Sequence, residues 1–346
     1  MIKLLIGGSP CTYWSIAQKN GRETEASGMG WDLFKNFLIA KEKFNPDFFL
    51  YENNKSVAQA IKDQISRELG VDLMNINSAL VSAQNRQRFY AFNWEVDQPE
   101  DRGIVLKDIL ESGDNLSPAK KSYALTTRCS GAIPEDTLIR RRHTMVAEPI
   151  RIGDIGSTSQ AHRVYSCDGK SVTINAGGDG QGGKTGLYAC PSNSKETTFY
   201  EVKDGLITIK GKKYPIKLAD GYYIIRKLTV TECCRLQTLP DDYCRAVSNI
   251  QAYKGLGNGW TAEVIIHILN GALKDVPRDE EIVVISMYDG IGTGRYCLDK
   301  MGFTNVKYFA YEIDKYAKQI AMSNYPDIIQ MGDAFDLRHP DWTIGY

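Results

Sequence analysis

The 346-residue chain has eight cysteines but no CxxC pair and no regular cysteine spacing. That excludes a disulfide framework and a clustered zinc site, and it suits a reducing compartment. No window is apolar for long enough to span a bilayer, and the start Met-Ile-Lys-Leu-Leu-Ile carries no signal-peptide pattern. The expectation is a cytoplasmic protein with no membrane partner and no metal, acting as a monomer. Net charge is also lacking, with 42 Lys and Arg against 42 Asp and Glu. The balance hides an asymmetry: Ser117 to Ile225 holds 16 basic against 10 acidic residues, so a basic module is set in an acidic remainder. What is present, 42% hydrophobic and 24% charged residues, is enough for one sizeable core and a smaller second one.

The apolar run Ile2 to Ile6 leads into Gly7-Gly8-Ser9-Pro10-Cys11. It reads as a buried strand that delivers a cysteine on a rigid turn, where a nucleophile would be placed, although a lone Pro-Cys is more often a small core residue. Trp31 to Lys43 then reads as an amphipathic helix, and Asp47 to Glu52 as a second buried strand. Strand, helix, strand is the signature of a parallel sheet, in which ligands collect at the carboxyl ends of strands. Cys11 and Glu52 would face one pocket there; a carboxylate capping the next helix is the plainer alternative. Lys55 to Leu69 is helical, and Gln84-Asn85-Arg86-Gln87-Arg88 enters the strand Phe89 to Phe92, with Arg86 and Arg88 on one side. They could equally be a solvated edge.

Between about Asn115 and Ile225 helical periodicity gives way to Gly, Thr, Ser and Lys, which predicts an inserted strand-rich domain. Arg140-Arg141-Arg142-His143 and the glycine-rich stretch from Gly177 to Lys184 combine charge with bare backbone, as a nucleic-acid contact needs. A surface hairpin would look similar. Thr229-Val-Thr-Glu232 is a capping box, Gly259 to Leu273 a further helix, and Lys274 to Glu281 a polar linker. A second strand-helix-strand unit follows: Ile282 to Met287, a turn through Tyr288-Asp289-Gly290-Ile291-Gly292-Thr293-Gly294, then Val306 to Tyr311 ending in Glu312. A glycine turn after one strand and an acid after the next suits a nucleoside cofactor, without separating NAD, FAD and S-adenosylmethionine. Asp333, after Ile328 to Met331, adds an acceptor that an adenine amino group could use.

The segments "GGSPC", "LYEN", "QNRQR", "RKLTVTECCRLQTLPDDY", "GLGNGW", "YDGIGTG", "YEID" and "GDAF" together resemble motifs IV, VI, VIII, IX, X, I, II and III of the C5-cytosine DNA methyltransferases. The order departs from that family, which opens with motif I. The resemblance therefore implies a circularly permuted, Rossmann-like α/β methyltransferase of the class I S-adenosylmethionine-dependent type. Its catalytic parts would be 1–114 and 226–346, and its target-recognition domain 115–225. Asn54 also replaces the usual valine after the Glu-Asn pair, and Ser9 stands where many bacterial members have proline.

The same resemblance implies the chemistry. Cytosine C5 is too weak a nucleophile to take a methyl group directly, so Cys11 would first add to C6 of a flipped-out base in double-stranded DNA. Glu52 would hold the proton at N3, and Arg88 would hold O2 and orient Glu52, supported by Arg86 and Gln84. S-adenosylmethionine would lie against Tyr288, Asp289, Gly290, Ile291, Gly292, Gly294, Glu312, Ile313 and Asp333, with Leu33, Asn258 and Trp260 completing the wall. Ser9, Pro10, Asn53, Gln160, Arg163 and Thr173 join Gln84 in the set expected on DNA. A tRNA cytosine methyltransferase and a silent DNA-binding relative are the alternatives.

Overall fold

The computed structural model describes residues 1–15, 21–111, 151–155, 163–174, 187–191, 200–209, 211–226 and 228–344. Its central sheet is assembled from both ends of the chain. Strands β1 (Ile2–Gly7), β2 (Phe48–Asn54), β3 (Leu73–Asn77) and β4 (Gln87–Phe92) come from the first part, and β12 (Ile282–Met287), β13 (Val306–Tyr311) and β14 (Ile329–Gly332) from the last. The order is β14-β13-β12-β1-β2-β4-β3. Strand β1 lies parallel to β12, in register from Ile2 opposite Ile282 to Gly7 opposite Met287. It lies parallel to β2 on its other side.

The apolar runs explain this placement. Every residue of β12 is buried, as a strand covered on both faces requires. Alternate residues serve two cores. Leu4, Ile6 and Val284 pack with Val264, Ile265 and Ile268 of helix α5 (Ala262–Leu273). Leu5, Val283 and Ile285 pack with Phe34 and Phe37 of α1 (Gly28–Phe44). Each such side chain, taken fully out of water, contributes roughly 1.5–3 kcal/mol. The joint between the ends is also fixed by polar contacts: the Ile2 amide donates to the Glu281 carbonyl at 2.8 Å, and the terminal amine pairs with Glu280.

Three local expectations change. The sheet is mixed rather than parallel, because β4 runs antiparallel to both β2 and β3. The helix expected over Gly259 to Leu273 begins at Ala262, since Gly259 is extended and ends a preceding helix, α4 (Asn249–Asn258), that the sequence did not announce. The helix over Lys55 to Leu69 is shorter, α2 (Gln59–Leu69). The capping box forms as expected at the start of α3 (Val230–Leu236): Thr229 Oγ1 accepts from the Glu232 amide, and Glu232 accepts from the Thr229 amide.

Residues 151–226 carry a second sheet, with strands β5 (Arg151–Asp154), β6 (Arg163–Ser166), β7 (Leu187–Pro191), β8 (Tyr200–Lys203), β9 (Leu206–Ile209), β10 (Lys212–Pro215) and β11 (Gly221–Arg226). All its pairings but β6–β7 are antiparallel. Its own small core includes Val164, Val202 and Ile207. The segment after β6 clamps it to the central unit. Ser171 donates from its amide to the Ala83 carbonyl at 2.6 Å and accepts from the Asn85 amide at 2.8 Å. Lys170, only 1% exposed, donates from Nζ to the carbonyls of Ala79, Ser82 and Ile104. Arg140 to His143 and Gly177 to Lys184 lie outside the described residues. No described helix is long and apolar enough to cross a membrane, and no group of His, Cys, Asp and Glu among the described residues could hold a metal.

Helices α6 (Thr293–Lys300) and α7 (Lys315–Asn324) follow β12 and β13, so the turns at the carboxyl ends of β1, β2, β12 and β13 open at one edge of the sheet.

Candidate active site

That edge holds a cavity of about 480 Å³. Cys11 reaches it from a 3-10 turn, Cys11–Tyr13, that directly follows β1 and Pro10. The turn fits because Gly8 lacks a side chain: a Cβ there would stand 2.6 Å from the Glu52 carbonyl oxygen and 3.0 Å from Glu52 Oε2. Polar contacts pin it further. Ser9 Oγ lies 2.7 Å from the Tyr51 hydroxyl, and Asn53 Nδ2 donates to the Ser9 carbonyl at 2.9 Å. Burial pushes the Tyr51 phenol well above its ordinary range, so it stays a hydroxyl. Cys11 is partly exposed, whereas Cys167, Cys233, Cys234, Cys244 and Cys297 are buried.

Glu52, near the end of β2, carries a donor on each oxygen. Arg88 Nε meets Oε1 at 2.9 Å and Trp260 Nε1 donates to Oε2 at 3.1 Å. Arg86 does not touch Glu52 in this network: its Nη2 donates to the carbonyls of Gly257, at 3.1 Å, and Gly259, at 2.9 Å, while Nη1 is buried without a partner. Burial first, then the neighbouring Arg88 charge, brings Arg86 down to about 9.

The other half of the cavity is the turn after β12. Tyr288 has φ 59°, and its hydroxyl donates to the Leu33 carbonyl at 2.8 Å and accepts from Asn36 Nδ2 at 3.1 Å. Asp289 Oδ1 accepts from Ser286 and Tyr308, both at 2.7 Å, while Oδ2 is buried with no partner. Burial raises this carboxyl to about 6. Gly290 has φ 64° with nothing within 4 Å of where a Cβ would point. Its amide donates to Glu312 Oε2 at 2.9 Å, and Glu312 Oε1 takes the amides of Ile313 and Asp314. Ile313, 70% exposed, and the exposed Asp333 complete this rim, with Leu33, Asn258, Trp260 and the buried Ile291 along the wall.

Several expected residues fall elsewhere. Gly292 and Gly294 do not line the cavity; they admit neighbours, since a Cβ would stand 3.0 Å from Ala321 Cβ at the first and 2.4 Å from Ile6 Cδ1 at the second. Gln84 is fully buried behind the cavity, its side-chain amide without a partner. Thr173 donates to the Asn85 carbonyl, and Arg163 sits on β6; neither lines the cavity. Gln160 lies outside the described residues. The sequence reading missed two anchors, the buried Tyr51 on Ser9 and the half-buried Trp260 on Glu52. Tyr51 was signalled only by its place next to Glu52; no local signal linked Trp260 to a carboxylate 208 positions away.

A family model described as C-5 cytosine-specific DNA methylase matches residues 1–274. The type II methyltransferase M.HhaI of Haemophilus parahaemolyticus is 25% identical over 288 residues, covering 77% of this chain and 74% of its own. The orphan methyltransferase M.SPRI of Bacillus phage SPR is 25% identical over 358 residues, covering 76% and 80%. Among solved structures, a DNMT2 mutant of Spodoptera frugiperda aligns with a TM-score of 0.41 at 14% identity, over 77% of this chain and 78% of that one.

Proposed function

Since the chain belongs to the C-5 cytosine-specific DNA methylase family, we propose that it transfers a methyl group from S-adenosylmethionine to C5 of a cytosine in duplex DNA. The observation that carries the reading is the convergence of Cys11, Glu52 and Arg88 with the Tyr288–Gly290 turn on one cavity.

The cavity residues fit that cofactor. The partnerless Asp289 Oδ2 is suited to its ammonium group, and the open side of Gly290 admits the chain behind it. Ile313 and Tyr288 offer apolar surface to the adenine, with Asp333 as an acceptor. Glu312 already takes three amides and has room for about one ribose hydroxyl. When bound, S-adenosylmethionine supplies the electrophilic methyl group.

The chain's own residues do the rest. A base cannot reach Cys11 while stacked, so it must leave the duplex, at a cost of a few kcal/mol. The Cys11 thiolate then adds to C6, N3 takes up the proton it shares with Glu52, and the ring's electrons become enamine-like at C5. Arg88 keeps that carboxylate in place and faces O2. After methylation, solvent takes the C5 proton, the freed pair re-forms the C5–C6 double bond as the C6–S bond breaks to return Cys11 as thiolate, and the N3 proton goes back to Glu52.

The second sheet and the surrounding basic stretch are assigned to target recognition. Net positive charge over Ser117 to Ile225 supports this, as does its clamp onto the loop that precedes Arg86. A circularly permuted order is supported by the short Lys274–Glu281 connection and by β1 lying beside β12. A reducing cytoplasm suits the free cysteines.

The test is methyl transfer from labelled S-adenosylmethionine to duplex DNA and to tRNA, with bisulfite sequencing to locate the product. Wild-type protein should label duplex DNA and Cys11→Ser should not, while both bind S-adenosylmethionine. Labelling of tRNA alone, or normal labelling by Cys11→Ser, would overturn the reading.

A further inference from the structure

We infer that Trp260 is a positioning residue for the Glu52 carboxylate, and that Arg86 acts on the same carboxylate through the turn that carries Trp260; this rests on the reading of the site given above. Trp260 was expected on the cofactor wall, but its indole N–H is spent on Glu52 Oε2. Arg88 Nε holds the other oxygen. An ionised carboxylate has about four acceptor sites, so one donor on each oxygen fixes its plane and leaves roughly one site per oxygen free. As the C6 adduct forms, the cytosine edge comes to present a protonated N3 beside the exocyclic amine, two donors side by side. The braced carboxylate can take both at once.

The turn holding Trp260 is itself tied down. Arg86 Nη2 bonds the carbonyls of Gly257 and Gly259, three positions and one position before Trp260 in the turn. Gln237 Nε2 bonds the Leu256 carbonyl at 2.6 Å, and Thr261 Oγ1 meets Gln237 Oε1 at 2.9 Å and Ser78 Oγ at 2.8 Å. Arg86 is 3% exposed and makes no hydrogen bond to Glu52, whose charge it feels only through space, so its bonded route to the carboxylate is the turn. The two arginines of one strand entrance thus reach one carboxylate by two routes, Arg88 directly and Arg86 through Trp260.

Phenylalanine keeps the ring of Trp260 and removes the N–H, which separates wall from brace. The assay uses the full chain and a duplex bearing 5-fluorocytosine at the methylated position, with the covalent trapping rate and S-adenosylmethionine affinity measured in parallel. Trp260→Phe should slow trapping about tenfold, the effect of losing one charge-assisted hydrogen bond, and leave cofactor affinity within about twofold. In a Glu52→Gln background the same change should cost less than about twofold, because the group it acts through has gone. Arg86→Lys, which keeps the charge but ends one atom short of the Nη2 that bonds both carbonyls, should show the same split and should not add to Trp260→Phe. Weakened cofactor binding with normal trapping, normal values for both, or an undiminished cost in the Glu52→Gln background would each overturn the inference. A wild-type chain that traps no DNA overturns the reading of the site and this inference with it; a wild type that traps normally and a Trp260→Phe variant equal to it overturn the inference alone.

Discussion

Replacing Asp289 by asparagine tests whether the cofactor side of the cavity carries a stored electrostatic cost. Its carboxyl is raised from 3.8 to about 6, by burial above all and by the nearby Glu312 charge, against the hydroxyls of Tyr308 and Ser286, which favour the anion. The folded chain therefore holds a proton here that the unfolded chain releases between about pH 4 and pH 6. Stability from this group is complete below pH 4 and is lost as pH rises through 6, by about 3 kcal/mol at neutral pH. An unfolding entropy of roughly 2.1 cal/mol/K per residue gives about 0.7 kcal/mol/K for the chain, so the cost corresponds to about 4 °C. The assay is the melting temperature of wild type and Asp289→Asn, without cofactor, from pH 4.5 to 7.5. Asparagine keeps the acceptor for Ser286 and Tyr308, and any cost of its unpaired amide is the same at every pH. The variant should gain about 3 °C on wild type across that range, since about 1 kcal/mol of the cost is already present at pH 4.5, while its S-adenosylmethionine affinity at pH 7.5 falls. Parallel curves would refute the electrostatic argument, and undiminished cofactor affinity would refute the ammonium assignment for Oδ2.

Lys170→Met should destabilise the chain by about 2–4 kcal/mol in urea unfolding, because the carbonyls of Ala79, Ser82 and Ile104 lose a common buried donor; an unchanged midpoint would mean those carbonyls find other partners. Moving residues 282–346 ahead of Met1 through a flexible join should preserve methyl transfer, since every strand of the central sheet keeps its neighbours. A fragment of residues 1–274 should fold poorly and fail to bind S-adenosylmethionine by calorimetry; a soluble, cofactor-binding fragment would count against the single-sheet account.

What was legible in the sequence is what local chemistry sets. Ile2 to Ile6 and Ile282 to Met287 are apolar runs, interrupted only by Lys3 and Ser286, that lead into glycine turns, so their burial, their parallel pairing and the convergence of Cys11, Glu52 and Glu312 on one edge could be anticipated. Less legible was whatever a distant partner decides. Leu73 to Asn77 has no strong strand pattern, and it becomes an edge strand because β4 turns back beside it. Asn249 to Asn258 contains two glycines and carries no helix signal that the sequence reading used, yet it is helical; a Cβ on Gly255 would stand 2.7 Å from Ile291 Cγ2, so the glycine serves packing against the turn after β12. Gly292 and Gly294 look like ligand glycines in a one-dimensional reading, and only the positions of Ala321, Ile6 and Tyr308 explain them otherwise. Trp260 lies in the same class, since its ring could be placed near the site by its neighbours but its hydrogen bond could not.

The pairing of Ile2 with Ile282 has a consequence during synthesis. At roughly 5–20 residues per second, a ribosome needs roughly 15–60 s to carry the chain from one partner to the other. Through that interval Leu4, Leu5 and Ile6 have β2 on one side and nothing on the other, an apolar strand edge of the kind that recruits other chains. The charged Lys3 and the bound Asp47 shield only its start. A nascent chain of this protein is thus expected to lean on a holding chaperone until residues 282–346 emerge. Competence then arrives in one step, with the strands that cover the edge also completing the cofactor cavity.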